Sequence, residues 1–235
     1  MSSSFEKIRK FPRDTFFTSD LLLGDYSLIN TKDKPGIREF DTVTDMDNAI
    51  IYGINSTVFP GDALFILGGF CADPSPGTIA SYLDRLRCKN IYLIRGQLEY
   101  DHYKQSTFIN SKQGLVGTKF ITDLFEFVGD YYEIEVMGQR IILSRYPSRF
   151  WNGMEEGSWQ LHGFTKGKAD DYTYSHMYPV GTASCDIACT QLDVSVDNMY
   201  KITDERTRSY MPFSFSDLDL LMDGRQNIIL NGECN

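Results

Sequence analysis

The chain has 235 residues, 42% of them hydrophobic and 23% charged, which is enough to bury a large core, and one domain over residues 1–235 is the simplest count. A formal net charge of −9 argues against general nucleic-acid binding. No apolar run reaches the roughly 18 residues of a membrane helix, the start "MSSSFEKIRK" is too polar for a secretory signal, and five scattered cysteines at 71, 88, 185, 189 and 234 predict reduced thiols in a cytoplasm.

In chain order, "TFFTSD" (15–20) reads as a short strand ending at Asp20. "TDMDNAIIYGINSTV" (44–58) reads as a helix with Thr44 as N-cap and Met46, Ile50 and Ile54 on one face. "ALFILGGF" (63–70) is a buried strand ending in glycines, "PGTIASYLDRLR" (76–87) a helix presenting Ile79, Leu83 and Leu86, and "NIYLIRG" (90–96) another strand. Residues 98–119 and 168–188 read as loop with some helix. "YYEIEVMGQRIILSRYP" (131–147) is a hairpin turning at Gly138. "SWQLHG" and "TQLDVSVD" (190–197) are further strands, and "SFSDLDLLMD" (214–223) is a helix capped by Ser214 or Ser216. The alternating first half predicts an α/β fold with a mostly parallel core, whose sites form where the carboxyl ends of strands meet loops. Asp20, Gly69 and Gln97 should therefore gather at one edge.

The order of short motifs carries more. "SDLLLGD" (19–25), "LGGF" (67–70), "RGQLEYD" (95–101), "LSRYP" (143–147) and "HGFTKG" (162–167) follow one another at characteristic spacing. In this arrangement the chain resembles the calcineurin-like metallophosphoesterases, above all their small bacterial and phage members, from about residue 14 to 222. The resemblance implies a four-layer αββα sandwich: two mixed β-sheets packed face to face with helices outside.

It also implies eight ligand or catalytic positions, and at these the chain has Asp20, Leu22, Gly69, Gln97, Leu98, Arg145, Phe164 and Lys166. Only Asp20 keeps the family's residue. Leu, Gly and Phe side chains offer no lone pair to a divalent ion, and Arg and Lys are donors only. Asp25, Asp62, Glu99 and Asp101 could supply oxygens, although scattered carboxylates are usually solvated. His162 reads as a structural residue on a strand, His102 could face the old site, and His176 sits among aromatics. No metal, cofactor or catalytic residue is expected.

Lys166 and Arg145 return positive charge to a place that would otherwise hold two cations. One reading makes them internal salt bridges, with the Lys166 ammonium on Asp20. The other has Arg145, Lys166 and Arg95 bind a phosphate or nucleotide without cutting it. Two functions follow: a catalytically inactive homologue that binds a protein partner or a phosphate-containing ligand, or a divergent phosphoesterase with a rebuilt site. Substitution by engineering is a third origin the residues allow.

Overall fold

The computed structural model describes residues 8–31, 36–102, 106–110, 116–165, 190–203 and 210–230. Its strands form two five-stranded sheets and a small hairpin. The first sheet runs β12 (Phe213–Ser214), β2 (Thr15–Thr18), β3 (Ala63–Ile66), β4 (Asn90–Ile94) and β7 (Phe127–Gly129). Its pairs are parallel except β12 against β2. The second runs β1 (Arg9–Phe11), β8 (Tyr131–Val136), β9 (Gln139–Ser144), β10 (Trp159–His162) and β11 (Gln191–Asp193), antiparallel only between β8 and β9.

Alternation of side chains along the strands sorts the core. Phe17 and Phe65 of the first sheet share one buried cluster with Ile134, Ile141, Leu143 and Leu161 of the second, so the sheets pack face to face. Phe16, Leu64 and Ile66 point the other way, into a cluster with Met46, Ile50 and Ile54 of α1 (Val43–Thr57) and Ile79 of α2 (Pro76–Arg85). This is an α/β sandwich of two mixed sheets with helices packed outside, as the sequence predicts.

Local chemistry explains the boundaries. Helix α1 is capped by Thr42, two residues earlier than expected, because the Thr42 hydroxyl accepts from Asp45 N at 3.1 Å. The hairpin β8–β9 turns through Met137 and Gly138, both at positive φ, as a two-residue connection requires. Ser214 caps the last helix, α5 (Phe215–Leu230), in a reciprocal box: its hydroxyl accepts from Asp217 N, and the Asp217 carboxylate accepts from Ser214 N.

Three expectations need correction. The strand read over 190–197 stops at Asp193, and α4 (Val196–Thr203) follows. Asp193 accepts from Ser195 N at 2.8 Å, an Asx turn that ends the strand despite its β-branched valines. Within 98–119, read as loop with some helix, α3 (Gln97–His102) is joined by an antiparallel pair, β5 (Ser106–Asn110) and β6 (Val116–Phe120). The strand read to Phe70 ends at Ile66, where Gly68 and Gly69 take left-handed backbone. Residues 168–188 lie outside the described residues.

Candidate functional site

Asp20 follows β2 in left-handed backbone, φ 54°, and Leu22 repeats that conformation at φ 49°. Such geometry costs a non-glycine residue about 1–3 kcal/mol and persists only where the surroundings impose it. Arg38 does much of this. Its buried guanidinium donates to the carbonyls of Asp20 at 2.6 Å and Leu21 at 2.8 Å. It also grips the Asp197 carboxylate of α4 through Nε at 2.9 Å and Nη2 at 3.0 Å. The amides of Asp20 and Leu22 donate to Gly68 and Gly69. Sequence reasoning passed over Arg38. Its signal, a lone arginine in "PGIREF" before α1, has no local pattern.

Arg145 leaves the end of β9 in the second sheet and reaches the first. Its Nη2 lies 2.6 Å from Asp20 Oδ1, and its Nη1 donates to the Leu67 carbonyl at 2.9 Å. Asp20 Oδ2 accepts from the Phe164 amide at 2.7 Å and from the Ser19 hydroxyl at 3.1 Å. The two side chains are 9% and 2% exposed, so this is a buried ion pair. Glycines make room for it: a Cβ at Gly68 would meet Arg145 Cδ at 2.7 Å, and one at Gly163 would meet Ser19 Oγ at 2.4 Å and Arg145 Nη1 at 2.8 Å. The glycine that opens "GFTKG" therefore clears space for a guanidinium.

The other positions divide. Gly69 abuts Asp20, whose Cα lies 3.0 Å from where a Cβ would sit. Phe164 is more than half exposed; its ring lies 5.6 Å from the Arg145 guanidinium carbon and edge-on to Tyr146 at 4.9 Å. Leu22 packs into the apolar core beside α1. Gln97 is at the cleft mouth, and Leu98 is 39% exposed. Lys166, His176, Cys185, Cys189 and Cys234 lie outside the described residues. Asp20 has a cationic partner in Arg145, while the contact expected from Lys166 lies outside the described residues.

Glu99 is fully buried, and its oxygens accept from Phe70 N at 2.7 Å and Gly96 N at 2.8 Å. It ties α3 to the glycine loop. Asp25 and Asp62 accept from nearby backbone amides. His162 is buried at the end of β10, with Nδ1 3.0 Å from the Gly163 carbonyl oxygen. Arg95 forms a two-point pair with Asp130 at 2.8 and 2.7 Å. Both arginines that line the cleft thus carry a carboxylate partner.

These residues do not fit a dimetal centre. The Asp20 carboxylate already accepts three hydrogen bonds, a guanidinium stands against it, and among the described residues no three His, Cys, Asp or Glu side chains converge as ligands. Beside the pair, an open cleft of about 310 Å³ includes Arg95, Gln97, Tyr100, Asp130 and Tyr146 in its lining.

No family model matches the chain, and no curated protein matches it. Among solved structures it is similar to a protein of unknown function from Aquifex aeolicus, at TM-score 0.52 and 18% identity over 91% of this chain and 100% of that one. That likeness is one of fold. A phosphoesterase from E. coli, Yfce, overlaps more loosely, at TM-score 0.29 and 14% identity over 65% of this chain and 69% of that one, and at that score carries no argument. Among the described residues no helix is long and apolar enough to cross a membrane.

Proposed function

We propose that this chain is a metallophosphoesterase-like protein that has exchanged catalysis for binding: a pseudoenzyme in which an internal ion pair takes up the carboxylate a metal would need. The observation that carries the reading is the state of Asp20. It is the one acidic residue retained at the positions the motif order marks, and its carboxylate is taken up by Arg145, Phe164 N and Ser19. A metal-dependent hydrolase needs such a carboxylate open to an ion that activates water and clamps the leaving oxygen. Here the guanidinium supplies the compensating charge, and neither the exposed Leu98 nor Gln97 brings an imidazole for proton transfer.

Binding is then the activity left to the cleft and the surfaces around it, since a fold does not itself fix a function. Cys71 and Cys88 are free buried thiols, which supports placement in a reducing compartment such as the cytoplasm. The test is hydrolysis of bis(p-nitrophenyl) phosphate in Mn²⁺. The expected result is no turnover above that of the denatured preparation. Turnover that survives purification and disappears in Asp20→Asn would overturn the reading in favour of a divergent phosphoesterase.

A further inference from the structure

The cleft beside the ion pair has walls unlike those of an anion site. Tyr100 of α3 and Tyr146, just beyond β9, both line it, 60% and 44% exposed. Each ring has a packed neighbour. The Arg95 guanidinium carbon lies 5.0 Å from the Tyr100 centroid, and Phe164 packs edge-on against Tyr146 at 4.9 Å. The two arginines that line the cleft each have a carboxylate partner, Asp130 for Arg95 and Asp20 for Arg145. Positive charge there is compensated, while both tyrosine rings stay partly exposed.

Polar capacity is also open. Among the described residues, the Gln97 amide and the hydroxyls of Tyr100 and Tyr146 have no protein partner, and Gln97 lies at the mouth with one donor and one acceptor group to offer. Two partly exposed tyrosine rings with an adjacent amide suit an uncharged planar ring that carries hydrogen-bonding groups on its edge. The volume, about 310 Å³, is at the small end of ligand sites and admits one such ring with a small substituent. A polynucleotide is disfavoured by the net charge of −9.

We infer that this cleft binds a free nucleobase or nucleoside, with Tyr100 and Tyr146 stacking on the ring and Gln97 reading its edge. The inference rests on the binding reading above and names its ligand class. The test is calorimetric titration of the full chain with adenosine, guanosine, cytidine and uridine in turn, with inorganic phosphate as a competitor. Saturable binding of at least one nucleoside is expected, weakened about tenfold or more by Tyr100→Ala and by Tyr146→Ala, and unmoved by phosphate. Gln97→Ala, at an exposed position, should leave folding intact and change the preference among the four nucleosides. Failure of all four to bind overturns the inference, as does binding insensitive to the tyrosine substitutions. Competition by phosphate overturns it in favour of an anion site. Nucleoside binding together with Mn²⁺-dependent hydrolysis that Asp20→Asn abolishes would overturn the non-catalytic reading and leave the cleft assignment standing.

Discussion

Arg145 Nη2 lies 2.6 Å from Asp20 Oδ1, joining the end of a strand in one sheet to the end of a strand in the other. The same guanidinium bonds the Leu67 carbonyl, and a parallel bridge between Ser19 and Ser195 lies alongside. The sandwich is thus fastened at the edge where its site would be. Truncating one partner of a buried pair leaves a lone charge in a poorly solvated place, at a cost of about 3–5 kcal/mol. Arg145→Met should destabilise the fold by that order in urea unfolding, and Asp20→Asn combined with it should recover part of the loss. Losses under about 1 kcal/mol would mean that solvent screens the pair.

Gly69 stands at one of the eight positions the family resemblance marks, and it has no carboxylate. Its φ is +68°, and an added Cβ would meet Asp20 Cα at 3.0 Å and Oδ1 at 3.1 Å. Introducing a carboxylate there should therefore damage the fold before it recruits an ion. Gly69→Asp is expected to lower stability by about 1–3 kcal/mol from backbone strain, with repulsion from Asp20 in addition. A thermal melt reads this, and an unchanged Tm would show that the loop relaxes.

Glu133 supplies a pH signature away from the cleft. Burial pushes its carboxyl up, but hydrogen bonds from Arg140, Tyr131 and Asn152 outweigh that and hold it below the ordinary range. A carboxyl depressed in the folded state stabilises fully above its unfolded value, about 4.3, and the contribution fades as pH falls through the lower folded value. Glu133→Gln should therefore cost stability at pH 7 and less at pH 3. The difference between urea midpoints at the two pH values measures it, and equal losses at both would show that the cluster carries no linkage.

Cys71 should be inert in the native protein. Burial, followed by Glu99, Asp73 and Asp47, pushes its thiol far above the ordinary range, and the side chain is inaccessible. The thiolate is the reactive form, so alkylation at pH 8 should be slower than in the urea-unfolded chain by about a hundredfold or more. Mass mapping after iodoacetamide treatment reads the site directly. Equal rates in both states would place Cys71 at the surface.

Much of the fold was legible because it rests on local rules. Period-four apolar positions gave α1 and the turn at Gly138 gave the β8–β9 hairpin, whereas glycine punctuation marked β3 and β4 but overran their ends at Ile66 and Ile94. The hairpin β5–β6 was not legible. Its strands lack clean alternation, and pairing across a loop is a non-local choice. At the site, strand–helix alternation predicted that Asp20, Gly69 and Gln97 gather at one edge, and the structure sets Arg145 and Phe164 against Asp20. The motif order did not show that Arg145 would bond Asp20 directly, because reach across two sheets depends on strand register and on the room left at Gly68 and Gly163. Arg38 was invisible for the same reason: its partners Asp20, Leu21 and Asp197 come together only in the folded chain.

The most direct test of the non-catalytic account is calorimetric titration of Mn²⁺ into the purified full chain, beside Asp20→Asn. The account predicts no saturable heat at micromolar metal in either protein, because the Asp20 carboxylate is already held by Arg145, Ser19 and the Phe164 amide. Binding of about two ions per chain with micromolar affinity, lost in Asp20→Asn, would contradict it and return the cleft to metal-dependent chemistry.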